Sequence, residues 1–193
     1  MTDEVGRRLV HVTGAAVPLG YVLGSDVLRW GVVQAFLALA LVVVVVLEYL
    51  RLSVGLDWAI YDRLTREYEQ DNPAGYALYI VGMAAVAGAV SLGLPTGVAV
   101  AAMFMLAVGD PISGLLGSAE ASNVKQAWVL LVMFGVCTLL AAPFVSTGAA
   151  VLGGVAATFA DGVKPTVAGY VVDDNVSIPV FSAAAMWVAF VAI

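Results

Sequence analysis

Residues 101–117 read AAMFMLAVGDPISGLLG, an apolar run interrupted near its end by Asp110 and by the helix-breaking Pro111. A carboxylate at membrane depth is costly to hold, so its presence favours a functional role. The rest of the chain is similarly apolar: 62% of its 193 residues are hydrophobic and only 11% are charged. Because soluble domains are nearer to half apolar and a quarter charged, the composition predicts an integral membrane protein.

Hydropathy predicts a polytopic bundle of about seven transmembrane helices, so the expected fold class is all-α, in a single integral membrane domain over residues 1–193. The predicted spans are 7–23, 29–50, 76–94, 96–117, 125–144, 147–162 and 175–193. The longest connection follows the second span and has apolar residues at helical spacing. Residues 56–70 are therefore predicted to form a short helix at the cytoplasmic membrane interface.

The distribution of Lys and Arg predicts the orientation of these spans. Under this topology, the N-terminus and the 51–75, 118–125 and 163–174 connections carry every Lys and Arg except Arg29. Since basic segments favour the cytoplasm, the N-terminus is predicted to be cytoplasmic and the C-terminus external, in the cell membrane. The net charge of −6 lacks the basic footprint of a nucleic-acid-binding protein, so membrane lipids are expected partners and nucleic acids are not.

The unusual polar groups fall on the predicted cytoplasmic side. They are Glu48 and Arg51 after the second span, Asp110 in the cytoplasmic half of the fourth, Asp161 and Lys164 after the sixth, and Asp173, Asp174 and Asn175 before the seventh. A transporter that works by alternating access is expected to carry polar residues near the membrane midplane. A cluster on one side instead suits an enzyme that joins a soluble cytoplasmic substrate to a lipid headgroup or alcohol.

These residue types favour phosphoryl or nucleotidyl transfer. Carboxylate and amide oxygens hold Mg²⁺ through one or two direct bonds and leave positions for phosphate oxygens, while Arg and Lys neutralise the transferred charge. The GDPISG segment (109–114) is predicted to form a turn whose exposed N–H groups and new helix N-terminus cradle a phosphate. Gly109, Ser113 and Gly117 also recur at intervals of four, which is typical of closely packed helices.

Several polar groups also have a structural interpretation. Glu48 and Arg51, spaced i and i+3, can form a helix-end ion pair. Asp161 and Asn175 can cap helices at the membrane interface. His11, near the cytoplasmic end of the first span, is predicted to be a satisfied helix-end histidine in preference to a proton-transfer group.

Several segments, taken in order, resemble the dolichol kinase group, which includes phytol kinase and the CTP-dependent diacylglycerol kinases and is related to the CDP-lipid synthases. The matching segments are RRLVHVTG (7–14), VLEYLRL (46–52), TREYEQDNPAGYALY (65–79), VGDPISGLLG (108–117), GGVAATFADG (153–162) and DDNVSIPV (173–180). The resemblance implies CTP-dependent phosphorylation of an isoprenoid or lipid alcohol on the cytoplasmic face, with a divalent metal ion. In place of the glycine-rich basic loop usual after the GD motif, this chain carries the shorter SAEASNVKQAW (118–128).

The resemblance leads us to predict a membrane lipid kinase that transfers a phosphoryl group from CTP to a polyprenol or dolichol-type alcohol, with Mg²⁺ or another divalent cation. The predicted catalytic residues are Asp110, Glu48 and Asp161, with Glu48 or Asp161 accepting the alcohol proton. The predicted metal ligands are Asp110, Asp174 and Asn175, and the predicted nucleotide- and phosphate-binding residues are Arg51, Gly109, Ser113, Lys125, Lys164 and Asn175. The alternatives are a CDP-lipid synthase, which would release pyrophosphate, and a non-enzymatic membrane transporter or structural protein.

Overall fold

The computed structural model describes residues 4–24, 26–55, 58, 61, 65, 69–117, 125–163, 166–167 and 170–192. Helices dominate: α1 (Glu4–Thr13), α2 (Ala16–Leu23), α3 (Trp30–Tyr49), α4 (Gly75–Ala89), α5 (Thr96–Phe104), α6 (Asp110–Leu116), α7 (Ala127–Ala141), α8 (Thr147–Gly162) and α9 (Asp174–Ala192). Wider π-helical turns extend α3 (Leu50–Val54) and join α5 to α6 (Met105–Gly109), and a 3-10 turn (Val90–Leu92) ends α4. The all-α prediction is confirmed except for a short antiparallel strand pair, β1 (Thr166–Val167) with β2 (Tyr170–Val171).

Apolar helices of membrane length make up much of the described chain. Four segments there are long and apolar enough to cross a bilayer, Trp30–Val54, Gly75–Leu92, Thr96–Leu116 and Asp174–Ala192, and two shorter apolar helices are Arg8–Leu23 and Ala127–Ala141. Large apolar side chains such as Leu39 and Leu131 face outward, 65% and 69% exposed. An exterior of this kind marks a membrane-facing surface. The structure thus supports a membrane protein, and the count of about seven spans stays a prediction.

The segment Thr96–Leu116 lies at the centre of the helix packing. Residues 98–103 are all buried, whereas α3 exposes most of its side chains. α9 packs against α8, α4 and α5, α7 packs against α8, and α3 packs against α4. A helix that is apolar on all faces is expected to be buried in this way. This central position places Asp110 among several neighbouring helices.

Glycines allow some of these helices to approach closely. A Cβ atom at Gly82 of α4 would overlap the backbone carbonyl of Asn175, and one at Gly109 would lie 2.8 Å from the Cys137 sulfur in α7. At Gly117, in contrast, a Cβ atom would make only ordinary contacts, the nearest at 3.4 Å. Small residues at helix contacts are expected in a membrane bundle, and Gly82 sets how closely the start of α9 approaches α4.

The GDPISG segment does not form the predicted turn. Thr96–Leu116 is one continuous helical segment, and Gly109 has helical φ and ψ angles of −64° and −50°. Pro111 has no N–H, and in an α-helix its ring would clash with the carbonyl four residues earlier. The π-helical turn that precedes it widens the helix and accommodates the proline. The predicted turn is therefore wrong, and the buried Gly109 presents no open loop to a phosphate.

Some predictions fall wholly or partly outside the described residues. The predicted interfacial helix at 56–70 is described only at a few positions, where the Trp58 and Tyr61 rings stack and the Thr65 N–H donates to the Tyr61 carbonyl. Lys164 and the 118–124 loop lie outside the described part of the chain. The interfacial helix and the phosphate-binding role of Lys164 therefore stay predictions.

Candidate functional site

Three carboxylates from different helices meet in the bundle. Asp110 opens α6, Asp161 lies in the last turn of α8, and Asp174 opens α9. Each offers an oxygen atom within 4.8 Å of those of the other two. Two ionised carboxylates at this spacing repel each other by about 3 kcal/mol at an effective dielectric constant of about 20. The cluster is therefore unfavourable unless a cation, protons or hydrogen-bond donors compensate it.

Asp161 is buried and held by two partners. The Ser113 hydroxyl donates to Asp161 Oδ2 over 2.6 Å. Lys125 Nζ lies 2.5 Å from Asp161 Oδ1 and donates to Ser113 Oγ over 3.0 Å. Lys125 precedes α7, and its ammonium group compensates the Asp161 carboxylate. Two of the predicted phosphate-binding residues thus lie with the acids.

Two adjacent aspartates at the start of α9 have different contacts: Asp173 caps the helix, and Asp174 lies in the carboxylate cluster. Asp173 Oδ1 accepts hydrogen bonds from the backbone N–H of Asn175 (3.0 Å) and from its side-chain Nδ2 (2.6 Å), as an N-cap residue does. Burial, and then the neighbouring Asp174, raise the pKa of the Asp173 carboxyl above its usual range. The next residue, Asp174, contributes its carboxylate to the cluster. Asn175 is 6% exposed, and its Oδ1 has no hydrogen-bond partner among the described residues.

His11 and Tyr79 join the site, although neither is a predicted site residue. His11 Nδ1 lies 3.4 Å from Asp110 Oδ2. The His11 and Tyr79 rings meet edge to face, with centroids 4.3 Å apart. The Tyr79 hydroxyl is buried against Gly14, where any Cβ atom would overlap it. The sequence offered one signal for this contact: His11 is the only histidine of the chain and lies near the cytoplasmic end of a predicted span.

Glu48 forms a different and fully satisfied cluster at the end of α3. Arg51 Nε and Nη2 donate to its two oxygens over 3.1 and 2.7 Å. The backbone N–H of Ala74 (3.0 Å) and the Tyr76 hydroxyl donate to the same carboxylate. A carboxylate accepts about four hydrogen bonds, so Glu48 has no spare acceptor site in this arrangement.

The remaining donors of Arg51 hold a neighbouring segment of backbone. Nη1 and Nη2 donate over 2.6 to 3.0 Å to the carbonyls of Glu69, Gln70 and Asn72. With the bonds to Glu48, all five N–H groups of the guanidinium are used. This geometry supports the ion-pair interpretation of Glu48 and Arg51. It offers no free donor for the phosphate contact predicted for Arg51.

The predicted site residues therefore divide into groups. Asp110, Ser113, Lys125, Asp161, Asp174 and Asn175 lie in or next to the carboxylate cluster; Glu48 and Arg51 form the separate ion pair; Gly109 packs against α7; and Lys164 is outside the described residues. The first group combines oxygen ligands of the type that hard cations prefer with an ammonium group. That combination can bind a metal ion together with a phosphate.

A cavity of about 400 Å³ lies beside this group, between α1, α2, α3 and α4. His11, Tyr76, Tyr79 and Asn175 are among its lining residues, and most of the others are apolar. Because His11 also contacts Asp110, the cavity adjoins the carboxylate cluster.

No protein-family model, no curated protein and no solved structure matches the chain. The likeness to the dolichol kinase group therefore depends on the motifs quoted above, and the activity that it implies stays a prediction.

Proposed function

We propose that the chain is a membrane lipid kinase that transfers the terminal phosphoryl group of CTP to a polyprenol or dolichol-type alcohol. The observation that carries the proposal is the meeting of Asp110, Asp161 and Asp174, from three separate helices, within 4.8 Å. The motifs that resemble the dolichol kinase group contain all three residues. Lys125, paired with Asp161, also supports the proposal, because it supplies beside the carboxylates a cation of the kind that neutralises phosphate charge.

The donor set is of the kind that binds a divalent cation such as Mg²⁺. The carboxylates of Asp110 and Asp174 would hold such an ion, with Asp161 beside them, since all three residues offer oxygen atoms within 4.8 Å of one another. A bound divalent cation would neutralise the carboxylates and the charge of the transferred group. Asn175, also a predicted ligand, lines the cavity, and we place its side chain with the alcohol.

In the proposed reaction the alcohol oxygen attacks the γ-phosphorus of CTP. The bond from that phosphorus to the β–γ bridging oxygen breaks, and CDP leaves. Of the two predicted proton acceptors, we favour Asp161. Among the described residues, Ser113 and Lys125 donate to Asp161 and use about half of its acceptor sites. Glu48 already accepts hydrogen bonds from Arg51, Ala74 and Tyr76.

The proposal keeps the finer topology predicted from hydropathy, with about seven spans in the cell membrane, a cytoplasmic N-terminus, an external C-terminus and a cytoplasmic interfacial helix at 56–70. Asp161 near the end of α8 and Asp174 at the start of α9 flank one connection, which is cytoplasmic under this topology. The carboxylate cluster would then face soluble CTP, and the lipid alcohol would reach it from the membrane.

The test is an assay of purified protein with labelled CTP, Mg²⁺ and a polyprenol. We expect CDP and polyprenyl phosphate as products, and a loss of about 100-fold or more in turnover for Asp110→Asn, which is about 2.7 kcal/mol in the barrier. The matched control is Asp26→Asn, an exposed aspartate between α2 and α3, which should stay within about twofold. Undiminished turnover in Asp110→Asn would remove Asp110 from the mechanism. Release of pyrophosphate would identify a CDP-lipid synthase, and absence of CTP binding would favour a non-enzymatic protein.

A further inference from the structure

The cavity beside the carboxylate cluster has an apolar body that opens outward. Its lining includes Val17, Leu37, Val44, Ile80 and Met83. Phe36 also lines it and is 56% exposed, so the cavity reaches the apolar outer surface of the bundle. Apolar pockets of this size, with a few polar groups at fixed positions, are typical binding sites for hydrophobic ligands.

The polar part of the lining has hydrogen-bonding capacity that the described residues do not use. Tyr79 Oη and Asn175 Oδ1 are buried without a hydrogen-bond partner in the described part of the chain. Both residues line the cavity, and Asn175 packs on α4 at Gly82, about one turn from Tyr79. Burying a polar atom without a partner is unfavourable, so these two atoms favour a ligand that can hydrogen-bond to them. A hydroxyl group is both donor and acceptor, so one alcohol can accept from Tyr79 and donate to Asn175 in the nucleotide-free complex. For the transfer itself, the O–H would turn from Asn175 to Asp161.

This polar region adjoins the three carboxylates. His11 lines the cavity and contacts Asp110 at 3.4 Å, and Asn175 directly follows Asp174 in α9. A hydroxyl bound between Tyr79 and Asn175 therefore lies next to the residues to which we assign the phosphoryl transfer.

We propose that the cavity binds a single-chain lipid alcohol, with its hydroxyl between Tyr79 and Asn175 and its chain running past Leu37 to the outer opening at Phe36. The volume of about 400 Å³ is near the lower end of the range of ligand pockets, about 300–1,000 Å³. It has room for the first part of one hydrocarbon chain, which is the single chain that we assign to it. This assignment locates the binding site of the acceptor alcohol and rests on the proposed function.

The experiment compares two valine substitutions in α2. Val17→Phe fills the cavity, whereas Val22→Phe places the same side chain at a residue outside the cavity lining that is 36% exposed. The measured quantity is the affinity of each purified variant for a labelled polyprenyl alcohol in nanodiscs without nucleotide. We expect Val17→Phe to weaken binding by about tenfold or more, equivalent to 1.4 kcal/mol, and Val22→Phe to stay within about twofold. Equal affinities in the two variants would overturn the assignment.

A second pair of variants tests the inference even if Val17→Phe does not fold. Tyr79→Phe removes one hydroxyl and should weaken alcohol binding about fivefold, the effect of one hydrogen bond, without changing the binding of the corresponding hydrocarbon. Tyr21→Phe, outside the cavity lining, is the matched control. Unchanged alcohol affinity in Tyr79→Phe would overturn the placement of the hydroxyl, and displacement of the alcohol by diacylglycerol at equal concentration would overturn the single-chain restriction.

The outcomes separate this inference from the proposed function. Alcohol binding that depends on Val17 and Tyr79, in a protein that never consumes CTP, would refute the kinase and retain the alcohol site. Phosphorylation of a polyprenol that is lost in Asp110→Asn but unaffected in Val17→Phe would retain the kinase and refute the cavity as its acceptor site.

Discussion

The two acidic clusters differ in how their charges are compensated. Glu48 accepts hydrogen bonds from Arg51, Ala74 and Tyr76, and Arg51 uses every donor of its guanidinium group. Asp110, Asp161 and Asp174 instead lie within 4.8 Å of one another. Lys125 is paired with one of them. The first cluster is complete within the chain, whereas the second brings three carboxylates together with Lys125 and His11 as the basic groups beside them among the described residues.

Under the proposed function, this difference distinguishes structural acids from functional acids in an apolar bundle. A buried ion pair whose hydrogen bonds are all made holds two pieces of chain together, and removing one partner is costly. Like charges gathered in one place destabilise the protein by themselves and are typical of ligand and catalytic sites. The comparison predicts that substitutions in the two clusters change stability in different directions.

The largest change in the free energy of unfolding is expected for Glu48→Gln. Loss of this carboxylate leaves the Arg51 guanidinium, with 8% of its side chain exposed, without a counter-charge. The free energy of unfolding should fall by about 3–5 kcal/mol, measured by denaturant titration in detergent. Adding Arg51→Met removes the uncompensated charge and should restore part of the loss. A Glu48→Gln protein of normal stability with no CTP turnover would instead assign Glu48 to the chemistry.

The second largest change is expected in the stability that a bound divalent cation would add. In the wild-type chain, Mg²⁺ at 100 times its dissociation constant should raise the free energy of unfolding by about 2.7 kcal/mol. Asp110→Asn should abolish most of that gain, because it removes one of the three clustered carboxylates. In EDTA the same variant should be as stable as the wild type or more stable, because Asn keeps the size of the side chain and carries no charge that its neighbours must compensate.

Asp26→Asn serves as the control for this measurement, because Asp26 is exposed. It should keep the full response to Mg²⁺. If Asp110→Asn lost several kcal/mol in EDTA, Asp110 would be a structural acid of the same kind as Glu48, and the distinction between the two clusters would fail.

Much of the helical layout could be predicted from hydropathy. The predicted span at 96–117 corresponds to Thr96–Leu116, and the one at 175–193 corresponds to Asp174–Ala192. The reason is physical: backbone N–H and C=O groups in lipid must be satisfied within the chain, so a long apolar run forms a helix. The meeting of Asp110, Asp161 and Asp174 could be expected because all three belong to span ends assigned to one side.

Two features could not be predicted from local sequence. One is the difference between the two acidic clusters, and the other is the continuation of the helix past Pro111. The donors that satisfy Glu48 include Ala74 and Tyr76, 26 and 28 residues away, and their contact depends on how α4 packs against α3. A Gly-Asp-Pro sequence ordinarily indicates a helix break. Here the surrounding bundle retains the helix, and a π-helical turn absorbs the misfit. Tertiary packing decides both cases.

The smallest effect is expected at the boundary of the carboxylate cluster, where Asp173 caps α9. Asp173→Ala removes the acceptor for two hydrogen bonds from Asn175 and should lower the free energy of unfolding by about 1 kcal/mol. Asp173→Asn keeps an acceptor oxygen and should retain most of that stability. Both variants should keep the response to Mg²⁺, because Asp174 and not Asp173 belongs to the clustered carboxylates. If Asp173→Ala abolished the Mg²⁺ response at unchanged stability, Asp173 would be a ligand and the cap would be incidental. These variants thus test whether the helix cap at Asp173 and the proposed ligand site at Asp174 are separate.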